Sequence, residues 1–94
     1  MTHEHLSALL TSAEAKKDEN GWSKGAEGRL LTFYVAFSGA GLTVSRVEAV
    51  RAEGTLIKAR TVKGEIYVLA LSDIYAGAVE GLASDGRKAG FVAG

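Results

Sequence analysis

The chain has 94 residues, 47% hydrophobic and 23% charged, with eleven basic residues balancing eleven acidic ones and no cysteine. That length supports a single domain over residues 1–94 with a core that needs no covalent staple, and the missing cysteine excludes disulfides, thiolate catalysis and cysteine metal sites. No apolar run approaches the roughly 20 residues of a membrane-spanning helix, and the charge balance excludes a strong overall field for nucleic acid or lipid, so any such partner needs a local patch.

The first element reads as a helix. Leu6, Leu9, Leu10 and Ala13 recur at helical spacing, and Thr2 is placed to cap the start with its hydroxyl. Lys16 and Lys17 suit the end of a helix dipole, with Asn20-Gly21 as its stop and Trp22 folding back on the last turn. The opening residues lack the basic-then-apolar order of a secretory signal, which points to a cytoplasmic address. Residues 23–28 read as a loop.

From Arg29 the period becomes two: Leu31, Phe33, Val35 and Phe37 share one face of a strand, and Leu30, Thr32, Tyr34 and Ala36 share the other. Residues 38–41 form a glycine-bearing turn. In Leu42–Glu53 the apolar phase switches between Val44 and Val47. A β-bulge near Ser45-Arg46 accounts for the switch, and this bent strand is preferred to a short helix capped by Ser45. Thr55–Val62 and Glu65–Leu71 alternate around Lys63-Gly64. A two-residue turn pairs Thr61 with Ile66, Ala59 with Val68 and Ile57 with Ala70 on one face, and sets Arg60 beside Tyr67 and Lys58 beside Leu69 on the other. Ile74, Tyr75, Ala78, Val79, Leu82 and Ala83 then follow a helical stripe opened by Ser72-Asp73 and stopped by Asp85-Gly86. Phe91-Val92 offers a docking anchor in the tail. The expected fold is α+β: an N-terminal helix, a four-stranded antiparallel meander and a C-terminal helix. The alternative is a small SH3- or Sm-like β-barrel with an N-terminal helix, if residues 73–80 form a fifth strand.

Candidate chemistry is sparse. Both histidines, His3 and His5, lie at the start of the first helix, and their spacing is not the i, i+4 spacing of a helical zinc site. No metal, cofactor or catalytic residue is predicted. Gly39 and Gly41 lack the remainder of a phosphate-loop motif. The carboxylates Glu48, Glu53, Glu65 and Asp73 read as surface or capping groups. Lys58, Arg60, Lys63 and Tyr67 combine phosphate-neutralising charge with a stacking ring, a candidate single-stranded nucleic-acid face. Four strands followed by a helix resemble, in topology alone, the Whirly and PUR single-strand-binding folds, and that resemblance implies the same class of partner.

The apolar pattern points elsewhere. A sheet with helices on one side leaves Leu56, Leu69 and Leu71 on an uncovered face, and the last predicted helix carries a small-residue face at Gly77 and Gly81. Together they suggest a homodimer interface under two-fold symmetry. The leading expectation is a non-enzymatic, self-associating binding module, and the alternative is single-strand binding. A third reading is a small-molecule or catalytic pocket with Tyr67, Asp73 or Tyr75 at its mouth.

Overall fold

A computed structural model describes residues 1–81. Helix α1 (His3–Ser12) starts as the sequence predicts, with the Thr2 hydroxyl accepting from the His5 amide at 3.1 Å. It ends earlier than predicted. Glu14 takes a left-handed conformation (φ 55°), the Glu14 amide donates to the Thr11 carbonyl, and the Ala15 amide donates to the Leu10 carbonyl. This is a Schellman closure, with glutamate in the position glycine usually takes. Lys16 and Lys17 therefore leave the helix and form the short strand β1 (Lys16–Lys17), paired with β2 (Ser23–Lys24). Asn20-Gly21 is not a helix stop. It lies in the β1–β2 turn, where Asp18 Oδ1 accepts from the Asn20 and Trp22 amides at 2.8 and 2.9 Å.

Five longer strands follow: β3 (Leu30–Phe37), β4 (Ala40–Glu53), β5 (Leu56–Thr61), β6 (Ile66–Ala70) and β7 (Ile74–Glu80). All seven strands join one antiparallel sheet. Its main ladder runs β6–β5–β4–β3–β7, and β2 pairs with the second half of β4 at Ala49 and Val50. β3 lies between β4 and β7, so both of its edges are hydrogen-bonded. Leu31, Phe33 and Val35 are buried in the core, and Thr32 on the opposite face is also buried, its hydroxyl donating to Glu80 Oε2 at 2.8 Å.

β4 carries the bulge. Its register against β3 slips between the Leu31↔Val47 and Phe33↔Val44 pairs, so three residues of β4 span two of β3. Arg46 sits in the slip with φ 58°. The extra residue brings Val44 and Val47 to the same side, and a second slip, between the Val47↔Thr61 and Ala49↔Arg60 pairs with β5, does the same for Val47 and Val50, so all three are buried in the core.

Two further expectations are corrected. Residues 74–80 are strand β7, antiparallel to β3, not the start of a C-terminal helix. Two physical terms favour the strand: a glycine inside a helix costs about 1 kcal/mol relative to alanine, and the free edge of β3 offers a complete ladder. The remainder of that predicted helix from Leu82, the Asp85-Gly86 stop and the Phe91-Val92 anchor lie outside the described residues. The four-stranded meander thus becomes a larger sheet with an additional long strand. The sheet is not a closed barrel either, since among the described residues β6 pairs only with β5 and β7 only with β3. A 3-10 turn (Leu71–Asp73) links them. Helix α1 packs on β7, with Leu9 seated on Gly77 and Leu6 in the core.

The second correction is the β5–β6 register. The ladder pairs Arg60 with Ile66, Lys58 with Val68 and Ala59 with Tyr67, one residue away from the predicted register. The Thr61 amide donates to the Glu65 carbonyl and the Gly64 amide to the Thr61 carbonyl, so the loop has three residues, Val62–Gly64, not two. Side chains alternate along a strand, so this shift exchanges the two faces of β6.

Candidate functional site

The outer face of β4, β5 and β6 carries the densest collection of functional groups. The registers place Ala49 beside Arg60 and Ile66, Arg51 beside Lys58 and Val68, and Glu53 beside Leu56 and Ala70. Arg60 donates through Nε to Glu48 Oε2 at 3.1 Å, and its guanidinium lies 4.9 Å from the centre of the Trp22 ring. The β1–β2 hairpin, in place of the expected helix end, brings Trp22 there. Glu53 bridges Arg51 and Lys58 at 3.1 and 3.4 Å. The carboxylates Glu48 and Glu53 are thus committed to cations. Such half-exposed pairs contribute little to stability, about 0–1 kcal/mol each, but they neutralise this part of the face.

Beyond the ion pairs lies an apolar row. Leu56, Ile66 and Val68 are 43%, 52% and 57% exposed. Ladder bonds alternate along an antiparallel pair. Counting from the Thr61–Glu65 bond, the amides and carbonyls of Ile66, Val68 and Ala70 point away from β5, towards the free edge. Among the described residues, Ile66 and Val68 therefore present exposed apolar side chains together with backbone groups that no strand pairs.

The structure divides the predicted nucleic-acid residues. Lys58 and Arg60 lie on the outer face, Lys63 at the loop between β5 and β6, and Tyr67 on the opposite face beside Ala59, packed against the core. They do not form one surface. Of the predicted dimer residues, Leu69 and Leu71 are buried in the core. A side chain at Gly77 would meet Leu9, and one at Gly81 would meet the Gly28 carbonyl, so both glycines serve contacts inside the chain. Of that set only Leu56 and Gly81 are exposed. Tyr67 and Tyr75 line different cavities and Asp73 lines neither, so the predicted pocket mouth does not assemble. Among the described residues no group of three or more His, Asp or Glu is placed to hold a metal ion, and no helix is long and apolar enough to cross a membrane.

One further cluster went unread in the sequence. The β4 bulge and the β5–β6 loop enclose a cleft of about 180 Å³ lined by Arg46, Lys63, Glu65, Tyr67 and hydroxyl-bearing Thr43 and Ser45. The sequence pattern located the bulge but did not show that its left-handed residue, Arg46, lines a cleft with the hairpin loop. The chain matches no protein-family model, no curated protein and no solved structure.

Proposed function

We propose that this protein is a non-enzymatic binding module that self-associates through the free edge of β6. The observation that carries the reading is the coincidence, at Ile66 and Val68, of exposed apolar side chains with backbone groups directed away from the sheet. An unprotected edge of this kind is a template for another strand. A second copy of the chain is the simplest occupant, because an antiparallel edge is self-complementary under a two-fold axis. Centred on Val68, such pairing sets Val68 against its own counterpart and Ile66 against Ala70 of the second copy. The chain's zero net charge opposes this association only weakly. Five edge residues bury less than the roughly 1,200 Å² of a stable standard interface, so the expected dimer is concentration-dependent.

Light scattering from about 1 to about 200 µM tests the proposal, a range that covers micromolar dissociation constants. The expected result is a rise from monomer to dimer mass. Val68→Pro should abolish the rise without unfolding the chain, because the lost amide faces the free edge and not β5. A strictly monomeric species across the range overturns the reading, as does a Val68→Pro variant that is folded and still dimeric. The nucleic-acid reading has less support, since Tyr67 faces away from Lys58 and Arg60, and both cations are engaged by carboxylates.

A further inference from the structure

We infer that the cleft between the β4 bulge and the β5–β6 loop binds an oxyanion of the phosphate class, held by Arg46 and Lys63. Three observations converge on this cleft. The first is charge. Arg29, Arg51 and Arg60 each have a carboxylate within 4.0 Å, whereas Arg46 has none among the described residues, and neither does Lys63. The cleft thus collects two uncommitted cations against one carboxylate, Glu65. An anion that accepts from guanidinium and ammonium together gains charge-assisted hydrogen bonds that no carboxylate among the described residues supplies there.

The second is how the cations are placed. Arg46 sits at a left-handed position, φ 58°, where glycine is the unstrained residue. The bulge turns it towards the hairpin loop, and its carbonyl accepts from the Val62 amide at 3.0 Å, tying the two walls of the cleft together. On the other wall the Thr61 hydroxyl accepts from the Lys63 and Glu65 amides at 3.3 Å each, which fixes the backbone that carries Lys63.

The third is size and donors. At about 180 Å³ the cleft is smaller than the roughly 300–1,000 Å³ of sites for drug-sized ligands, and it suits a small ion or head group. The ladder to β5 stops at Val47 while β4 continues against β3, so among the described residues no strand pairs the Thr43 stretch of β4 on that side. From the Phe37–Ala40 pair that flanks the turn, alternation directs the Thr43 amide to this open edge, as a further donor.

The source of the oxyanion is either a free phosphate or phosphomonoester, or a phosphodiester of a nucleic-acid backbone, and two titrations separate them. Sodium phosphate, with chloride at matched ionic strength as the control, and oligothymidylate are each added to the ¹⁵N-labelled full chain, with amide shifts followed by NMR. The expected result is saturable shifts confined to residues 43–46 and 61–67. The apparent affinity should weaken about tenfold or more in Arg46→Gly and in Lys63→Ala, as loss of a charge-assisted contact requires. Arg46→Gly keeps the bulge, since glycine accepts its φ, so a loss of binding there is not a loss of fold. Saturation by phosphate alone assigns a free or monoester ligand, and tighter saturation by oligothymidylate assigns a phosphodiester. The inference is overturned if neither probe gives saturable shifts at these amides, or if both variants bind as the parent does.

Discussion

Arg46 allows the bulge to be tested by the sign of an effect as well as its size. Replacing a strand residue with glycine ordinarily destabilises, by roughly 0.5–1 kcal/mol relative to alanine. At φ 58° the balance differs. A side chain bearing Cβ in the left-handed region costs about 1–2 kcal/mol, and glycine removes that cost while adding about 0.4–1 kcal/mol of unfolded-state entropy. Arg46→Gly should therefore range from neutral to about 1 kcal/mol more stable. Arg46→Val has the opposite expectation, because a β-branched residue is a true outlier at that φ. If valine drives the backbone to an extended conformation, the bulge is lost and Val47 and Val50, both essentially fully buried, lose their phase. With about 1.5–3 kcal/mol for each buried valine as the ceiling, a loss of about 2 kcal/mol or more is expected. Urea unfolding followed through Trp22, the single tryptophan, reads both variants. With a slope of about 1 kcal/mol/M for a domain of this size, each kcal/mol moves the midpoint by about 1 M. An Arg46→Gly variant destabilised by more than about 1 kcal/mol, or an Arg46→Val variant with an unchanged midpoint, would refute the role assigned to the bulge.

Two further predictions concern the elements flanking the site. Thr61 is buried and its hydroxyl accepts from two loop amides. Thr61→Val should cost about 1–2 kcal/mol and speed hydrogen exchange at the Lys63 and Glu65 amides; unchanged exchange would show that the hydroxyl does not order the loop. At Gly77 a Cβ would lie 2.7 Å from Leu9 Cδ2 and 3.3 Å from Met1 Cε. Gly77→Val should lower stability by about 1–3 kcal/mol through overpacking, and Leu9→Ala in the same chain should recover part of that loss. Strict additivity in the double variant would mean that the helix does not pack where Leu9 places it.

What the sequence made legible was set by neighbours in the chain. The Thr2 cap, the alternation of Leu31, Phe33 and Val35, and the phase switch between Val44 and Val47 each depend on a few adjacent residues, and all three are present in the fold. The failures come where a distant partner decides. The stripe Ile74, Tyr75, Ala78, Val79 is as good a helical signal as the chain contains, yet the open edge of β3 recruits those residues as β7. Local periodicity carries no information about a ladder some forty residues away, although the two interior glycines were the available hint. Asn20-Gly21 misled for a related reason. The pair serves helix ends and hairpin turns alike, and Asp18, by accepting from both flanking amides, selects the turn. That choice is why Trp22 faces Arg60, a contact between residues 38 positions apart.

The β5–β6 loop shows how one residue of register determines which surface is available for binding. A two-residue hairpin turn at Lys63-Gly64, of type I′ or II′, requires positive φ at its first position, Lys63. Lysine resists that conformation, and in the observed loop only Gly64 adopts it, at φ 89°, while Lys63 does not. Adding Val62 to the loop places the glycine at the third position, where a three-residue hairpin needs its left-handed residue, and lets the Thr61 hydroxyl serve both amides. The consequence extends along the whole of β6. Tyr67 and Leu69 turn to the core side, and Ile66 and Val68 turn outward with their backbone groups on the free edge. Had the two-residue turn formed, Ile66 and Val68 would pack under the sheet and Tyr67 would stand beside Arg60. The exposed edge and the Tyr67-lined cleft thus share one origin, the three-residue loop Val62–Gly64. An interface at Ile66 and Val68 and an oxyanion at Arg46 and Lys63 use opposite faces of the same short strand and its loop, so Val68→Pro and Lys63→Ala should separate the two activities.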